Sequence, residues 1–564
     1  MFALCGVLLA ACGGPAPQVS DASSAAAPAT EARTLVMASN TEVQSLAPKM
    51  LGPTNPARTT RLFNAALALI DSQGAPRAYL AERLPQLNTD SWLVLPDGRM
   101  ETTWKLRPGL TWHDGTALAS DDFVFAWRVY TSPVLSAFNS VPQNIIEEVS
   151  APDAQTLVIR WSTTYPEANA IAIEQLEPLP RHMLLADFEQ VRESAESRDA
   201  FLARRFWTTE YVGAGPFRLT GWEPGAQIEG SAFDGHALGR PKIGRVVVRI
   251  MPDDNTVATN VLAENISFTM ELALRFEQAS FLQKEWTMNG RGVVIYTQTS
   301  TATASVQLRP EYGLPALRDL RVRRALAHTI DKQSLIDGLF DGQGGIADTY
   351  ISRTTAFYPD VDRAVTKYPY DPNRAEQLMN EAGLRKEREG FFVSESGQRF
   401  QPGFWITAGS QTERLLALVT NDWQRNGYDF QPHVIPSAQA RDNQFRSTFP
   451  GLLNYGVSPS ISNAFETFIT QQIGIAENRW SGQNRGGWSN PQYDRLVDAW
   501  NSTLDSTQRV QRMAEMARIL SEELPNYPLA ANLGAITHVA ALKGPDRGVR
   551  EATDYWNIQD WELS

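Results

Sequence analysis

Past residue 12 the chain contains no cysteine: Cys5 and Cys12 are the only two in 564 residues. No disulfide and no cysteine metal site can hold the body together, so burial of apolar surface must do it. At this length a prior of about 150 residues per domain predicts roughly three to four units. Hydrophobic residues make up 43% and charged residues 20%, a balance that fits a chain folding in water and disfavours both disorder and a multi-span membrane protein. With 51 basic and 63 acidic side chains the net charge is −12, and no long run of one sign occurs. Nucleic-acid binding is disfavoured, because phosphate contacts need a basic face.

The first dozen residues read as a targeting device. Residues 2–11 are apolar, too short to span a bilayer but of the length of a signal-peptide core, and they end in Leu9-Ala10-Ala11-Cys12. Small residues directly before a cysteine resemble the bacterial lipobox, in which the thiol takes a diacylglycerol and the peptide is cut just ahead of it. Residues 1–11 are therefore expected to be a lipoprotein signal peptide, and 12–33 the lipid anchor at Cys12 with its tether. Residues 13–30, rich in Ala, Ser, Pro and Gly and without apolar periodicity, cannot bury enough surface to order themselves. Two or more acyl chains, at about 0.8 kcal/mol per buried methylene, would hold the body on a membrane.

Beyond the tether, strand and helix signals alternate, which predicts an α/β fold. Residues 34–38 read as a buried strand and 61–70 as a helix with Leu62, Phe63, Ala66, Leu67 and Ile70 on one side. The stretch 104–127 reads as strand, Pro-Gly turn, strand, Asp-Gly turn and a helix capped by Ser120, with Phe123, Val124 and Trp127 as its apolar face. Residues 244–250 predict a strand and 256–264 a helix. Residues 320–330 and 332–340 predict two helices, Asp331 capping the second, with Arg321, Arg323 and Arg324 on a solvated face. Asp371, Pro372 and Gly383 mark the cap, first turn and end of another helix. Strand 404–406, helix 414–425 and strand 428–430 follow, with Gly427 closing the helix.

His113-Asp114-Gly115 offers a histidine and a carboxylate in one tight turn, with no third ligand or nucleophile nearby, so it reads as a structural turn. Gly213 and Gly215 could suggest a phosphate loop, but Pro216 and the strand-like 217–219 do not form the helix start that phosphate cradling needs. The segment 104–127 resembles the signature of family 5 extracellular solute-binding proteins, which bind peptides, nickel complexes and other solutes. The likeness continues through 212–219, Gly221-Trp222, 320–345, 370–383, 490–497 and 556–561, in the family's order.

The resemblance implies a periplasmic-binding-protein-like type II fold, two lobes with a hinge plus an extra inserted domain. Lobe I would comprise 34–58, 186–285 and 525–564; the extra domain 59–185; lobe II 286–524. It further implies capture of a peptide-like or other small polar solute between the lobes and delivery to an ABC importer permease. The expected protein is a monomer outside the cytoplasm, periplasmic or cell-surface, tied to a membrane by its lipid alone and needing no cofactor or metal. An oligosaccharide or metal chelate is the alternative ligand. Aligned with the family's cleft segments are Phe138, Trp405, Tyr455, Ser458 and Ser460, the expected ligand-binding residues. Peptide-binding relatives carry a tryptophan and then an aspartate that holds the peptide's amino terminus; here Val457 and Ser460 stand at those places, so an ammonium contact is not implied.

A lipid-anchored hydrolase is the rival of another class. The body has no Gly-x-Ser-x-Gly elbow, His-Glu-x-x-His helix or cysteine nucleophile, and its histidines, at 113, 182, 236, 328, 433 and 538, are scattered. A ligand-sensing or folding-assistance module using the same clamp without an importer is a further alternative.

Overall fold

A computed structural model describes residues 33–47, 60–138, 141–172, 175–191, 194–436, 438–458, 460–546 and 553–564. The expected signal peptide, Cys12 and nearly all of the expected tether lie outside the described residues.

One large mixed sheet runs through the molecule. From one edge its strands are Gln431–Ile435, Gly403–Thr407, Gly451–Val457, Gly292–Val306, Asn526–Val539, Phe268–Thr269, Thr34–Ser39, Arg245–Ile250, Gln227–Ala232 and Phe217–Glu223. The two central strands, Gly292–Val306 and Asn526–Val539, are 15 and 14 residues long and lie antiparallel. The first half of one and the second half of the other sit with the strands of lobe I, through Phe268↔His538; their other halves sit with lobe II, through Thr303↔Tyr455. The chain leaves lobe I along the first and returns along the second. Two bulges interrupt their ladder, between Gln298 and Ser300 and between Ala302 and Thr303. The register shows why the outer pairings survive: Thr299 is extra on the first strand and Leu529 on the second, so the two slips cancel.

Strands Trp92–Val94, Met100–Lys105, Thr156–Trp161 and Ile146–Asp153 form a separate four-stranded antiparallel sheet, covered by helix Ser120–Tyr130. Its Trp104, Ile159 and Trp161 belong to the same continuous core as Leu35, Met37 and Val248 of the large sheet. Lobe II has its own core, in which Leu326, Leu339, Met379, Phe404 and Trp423 meet. Phe276 joins that second core, its ring 5.3 Å from the ring of Phe340.

Local signals are realised where a cap or turn decides the outcome. Asp331 accepts from the Ser334 amide at 3.0 Å ahead of helix Lys332–Phe340, and Asp371 accepts from Arg374 at 3.0 Å ahead of Pro372–Glu381. Asp114 accepts from the Thr116 amide at 2.9 Å and Gly115 takes φ +89°, as the turn reading requires.

Four readings are corrected. Residues 61–70 are not a helix: a 3-10 turn Thr60–Leu62 leads to strand Ala68–Ile70. Leu62, Phe63, Ala65, Ala66 and Leu67 are all buried, so the segment is enclosed on every side rather than amphipathic. Ser120 does not cap its helix; Ala119 holds the cap position and the Asp122 carboxylate accepts the Ala119 amide at 3.0 Å. Residues 428–430 lie ahead of the strand, which runs Gln431–Ile435, while Tyr428 and Phe430 fill the core. Arg323 is buried, not solvated, and donates to the carbonyls of Glu523, Leu317 and Arg318, each at 2.9 Å.

Candidate functional site

Alternation along a strand sends neighbours to opposite faces. On Gly403–Thr407, Phe404 and Ile406 join the helices of lobe II, while Trp405 faces the other way. Trp405 stands opposite Leu453 in parallel register, and its ring packs on His433 at 4.5 Å and Phe445 at 4.9 Å between centroids. Two residues beyond Leu453, Tyr455 lies on the same face and packs against the same small cluster. The structure thus brings Trp405 and Tyr455 together. Ser458 follows at the strand end and accepts from the Ser460 amide at 3.4 Å, and Ser460 precedes the short helix Ile461–Glu466, its hydroxyl without a hydrogen-bond partner among the described residues. Val457 is buried in the core beneath. Phe138 ends the 3-10 turn Pro133–Phe138, and its side chain lies outside the described residues.

Behind Tyr455 the first long strand presents Thr301, Thr303 and Ser305, all buried polar groups, whereas its other face carries Ala302, Ala304 and Val306. Asn526 donates to the Tyr455 hydroxyl at 3.2 Å and to Thr303 Oγ1 at 3.3 Å. Burial pushes the Tyr455 phenol up, and Arg485, Asn526, Ser305 and Arg446 pull against it. Arg485 is 3% exposed. Its backbone is fixed by neighbours: Arg309 Nη2 donates to the Arg485 carbonyl at 2.7 Å, and the Asn484 amide group donates to Phe468, Ile469 and Trp488 carbonyls at 3.1, 3.2 and 2.7 Å. Gly486 permits the close approach to the long strand, since a Cβ there would lie 2.1 Å from the Val306 carbonyl oxygen. Sequence reading passes over Arg446 and Arg485. Neither sits in a spacing that separates a buried guanidinium from a solvated one.

The lobes also meet through side chains. Arg509, on helix Ser506–Glu523 of lobe II, donates to Glu167 of the inserted region at 2.6 Å, and Leu504 packs against the core that lobe I shares with that region. A separate cavity of about 310 Å³ lies between Asp253, Asp254, Arg275 and Glu277 on one side and Ser410 and Arg414 on the other. Arg414 spans it to Glu277 at 3.8 Å. No group of three or more His, Cys, Asp or Glu side chains able to hold a metal occurs among the described residues. No helix among them is long and apolar enough to cross a membrane.

The His113 imidazole is a structural tie. Nδ1 accepts from the Gly213 amide at 3.2 Å and Nε2–H donates to the Gly215 carbonyl at 3.0 Å, so the ring is neutral. Burial pulls its pKa down to about 4. Gly213 and Gly215 are there for contact: a Cβ on either would fall 2.0 Å from the Phe63 carbonyl oxygen and 2.4 Å from the Asn64 nitrogen, respectively.

Two α/β lobes joined by a pair of long strands, one of them sharing its core with an inserted domain, define a bilobal ligand-binding protein. The profile of the bacterial extracellular solute-binding proteins, family 5 Middle, matches residues 83–472, and the chain belongs to that family. It is 23% identical to the oligopeptide-binding protein AppA of Bacillus subtilis, across 99% of this chain and 96% of that one. Among solved structures it resembles NikZ from Campylobacter jejuni in complex with Ni(L-His), with a TM-score of 0.72 at 19% identity over 94% of this chain and 99% of that one. It resembles the oligopeptide binding protein from Thermus thermophilus complexed with a pentapeptide at a TM-score of 0.70 and 21% identity, over 94% and 96%. The fold is the two-lobe type II arrangement with an extra domain.

Proposed function

We propose that the chain is an extracytoplasmic receptor that captures a peptide-like or other small polar solute between its lobes and hands it, unaltered, to an ABC importer. The observation that carries this is the pairing of a two-strand connection with a side-chain contact, Glu167 to Arg509, between the inserted domain and lobe II. Such a molecule has a bending point and a contact that can part, and a solute that binds the closed arrangement better shifts the population towards it. The ligand-facing residues we assign are Trp405, Tyr455, Ser458 and Ser460, with Phe138 from the inserted domain. A lipid on Cys12 would keep the receptor, as a monomer, beside its permease.

Small-angle scattering with native mass spectrometry tests this reading. A co-purified or added solute should appear as a mass adduct and reduce the radius of gyration. An unchanging profile with every peptide, chelate and sugar pool tried would overturn it. Cys12→Ser is expected to free the protein from membranes with its fold intact; unaltered sedimentation with membranes would remove the anchor from the account.

A further inference from the structure

We propose that Arg446 and Arg485 form a receptor for an oxyanion of the bound solute, a carboxylate or a phosphate. The proposal rests on the solute-binding reading above and specifies the chemistry of one end of the ligand.

Arg485 is 3% exposed, yet its Nε and Nη1 have no hydrogen-bond partner among the described residues. Arg446 Nε has none either, and its Nη1 reaches the Ala440 carbonyl only at 3.4 Å. Among the described residues no carboxylate pairs with either arginine. The nearby groups that act on Arg485 are Arg446 and Tyr455, and burial followed by the Arg446 charge pulls it down to about 10. Arg446 is likewise drawn down by burial, with Tyr455 the one group set against it.

Half-buried Arg309 and buried Arg323 are treated differently. Arg309, in the same knot of loops, donates to Gln307 Oε1, the Gly474 carbonyl and the Arg485 carbonyl at 3.2, 2.8 and 2.7 Å. Arg323 donates to three carbonyls. A buried guanidinium that feels the charge of a half-buried one, without a counterion, is unfavourable. An entering oxyanion would supply acceptors to the free N–H groups and cancel the repulsion, and the planar guanidinium fork suits two oxygens of a carboxylate or phosphate. The Tyr455 hydroxyl, already accepting from Asn526, is placed to donate to the same anion. Trp405 packs on Phe445, the residue before Arg446, at 4.9 Å between centroids. The geometry points to an anionic end as the recognised one.

The test uses the full chain and four probes at one ionic strength: inorganic phosphate, succinate, L-alanyl-L-alanine, and the same dipeptide amidated at its C-terminus. Thermal unfolding and native mass spectrometry read binding. Phosphate, succinate or the free-acid dipeptide should raise the melting temperature and form an adduct, and the amide should bind at least tenfold more weakly than the free acid. Arg485→Gln should lose the oxyanion response, and Arg446→Gln should weaken it. A response to phosphate alone assigns a phosphate-bearing solute; a response to succinate or the free acid alone assigns a carboxylate. In probe-free buffer Arg485→Gln should melt at or above the parent protein, because an uncompensated charge has gone; a lower melting temperature would mark a structural arginine and overturn the proposal. So would equal binding of acid and amide, or no response to any oxyanion. Lobe closure on the amide would keep the receptor reading while sinking the anion site, whereas no closure with any solute sinks the receptor reading itself.

Discussion

The inserted domain has two borders, and they are built of different material. Towards lobe I it shares one continuous apolar core, and backbone and imidazole interlock at His113, Gly213 and Gly215. Towards lobe II it offers the Glu167–Arg509 ion pair, with Glu167 43% exposed and Arg509 14%, and the packing of Leu504. Shared core and backbone hydrogen bonds cannot be exchanged for water without unfolding, whereas a half-solvated ion pair can. The inserted domain should therefore travel with lobe I as one body and part from lobe II.

The largest effect is expected where the first border has no spare room. Gly213→Ala places a carbon against the Phe63 carbonyl and should lower stability by about 3 to 4 kcal/mol, read from the denaturant midpoint. A variant near parental stability would show that this border can slide, and the contrast would fail.

Acid should act on the same border. The folded His113 value is about 4 against an ordinary 6.5, so between those pH values the unfolded chain binds more protons. Stability is then fully present above pH 6.5 and falls as pH drops towards 4, by about 3 kcal/mol from this group. Denaturant curves from pH 7 to 4 should show that slope, diminished in His113→Gln. An acid-induced rise in radius of gyration with the fold intact would instead place the weak border here.

The smallest change in stability belongs to Arg509→Ala, below about 1 kcal/mol, but with a shift of the solute-free protein towards an open shape in scattering. A marked loss of stability in that variant would make both borders alike.

How much of this is legible in the sequence depends on range. Caps at Asp331 and Asp371 and the turn at Asp114 are decided within four residues, and the sequence states them. Residues 61–70 escape a local reading because enclosure on all sides comes from distant partners such as Gly213 and Gly215. Arg323 reads as solvated for the same reason: its acceptors include Glu523, 200 residues on. In the candidate site, strand alternation predicts that Phe404 and Trp405 diverge, but which face meets Tyr455 is a matter of pairing. Arg446 and Arg485 carry no local mark at all; what distinguishes them is the absence of a counterion among the described residues, a property of three dimensions. The Glu167–Arg509 pair is separated by 342 residues.

The paired irregularities at Thr299 and Leu529 bear on how such a molecule could swing. A lone insertion would throw one flank of the ribbon out of step and turn its side chains inside out. Two that offset each other work like an expansion joint in a bridge deck: the spans on either side stay in step, and the irregularity is confined to the few residues between them.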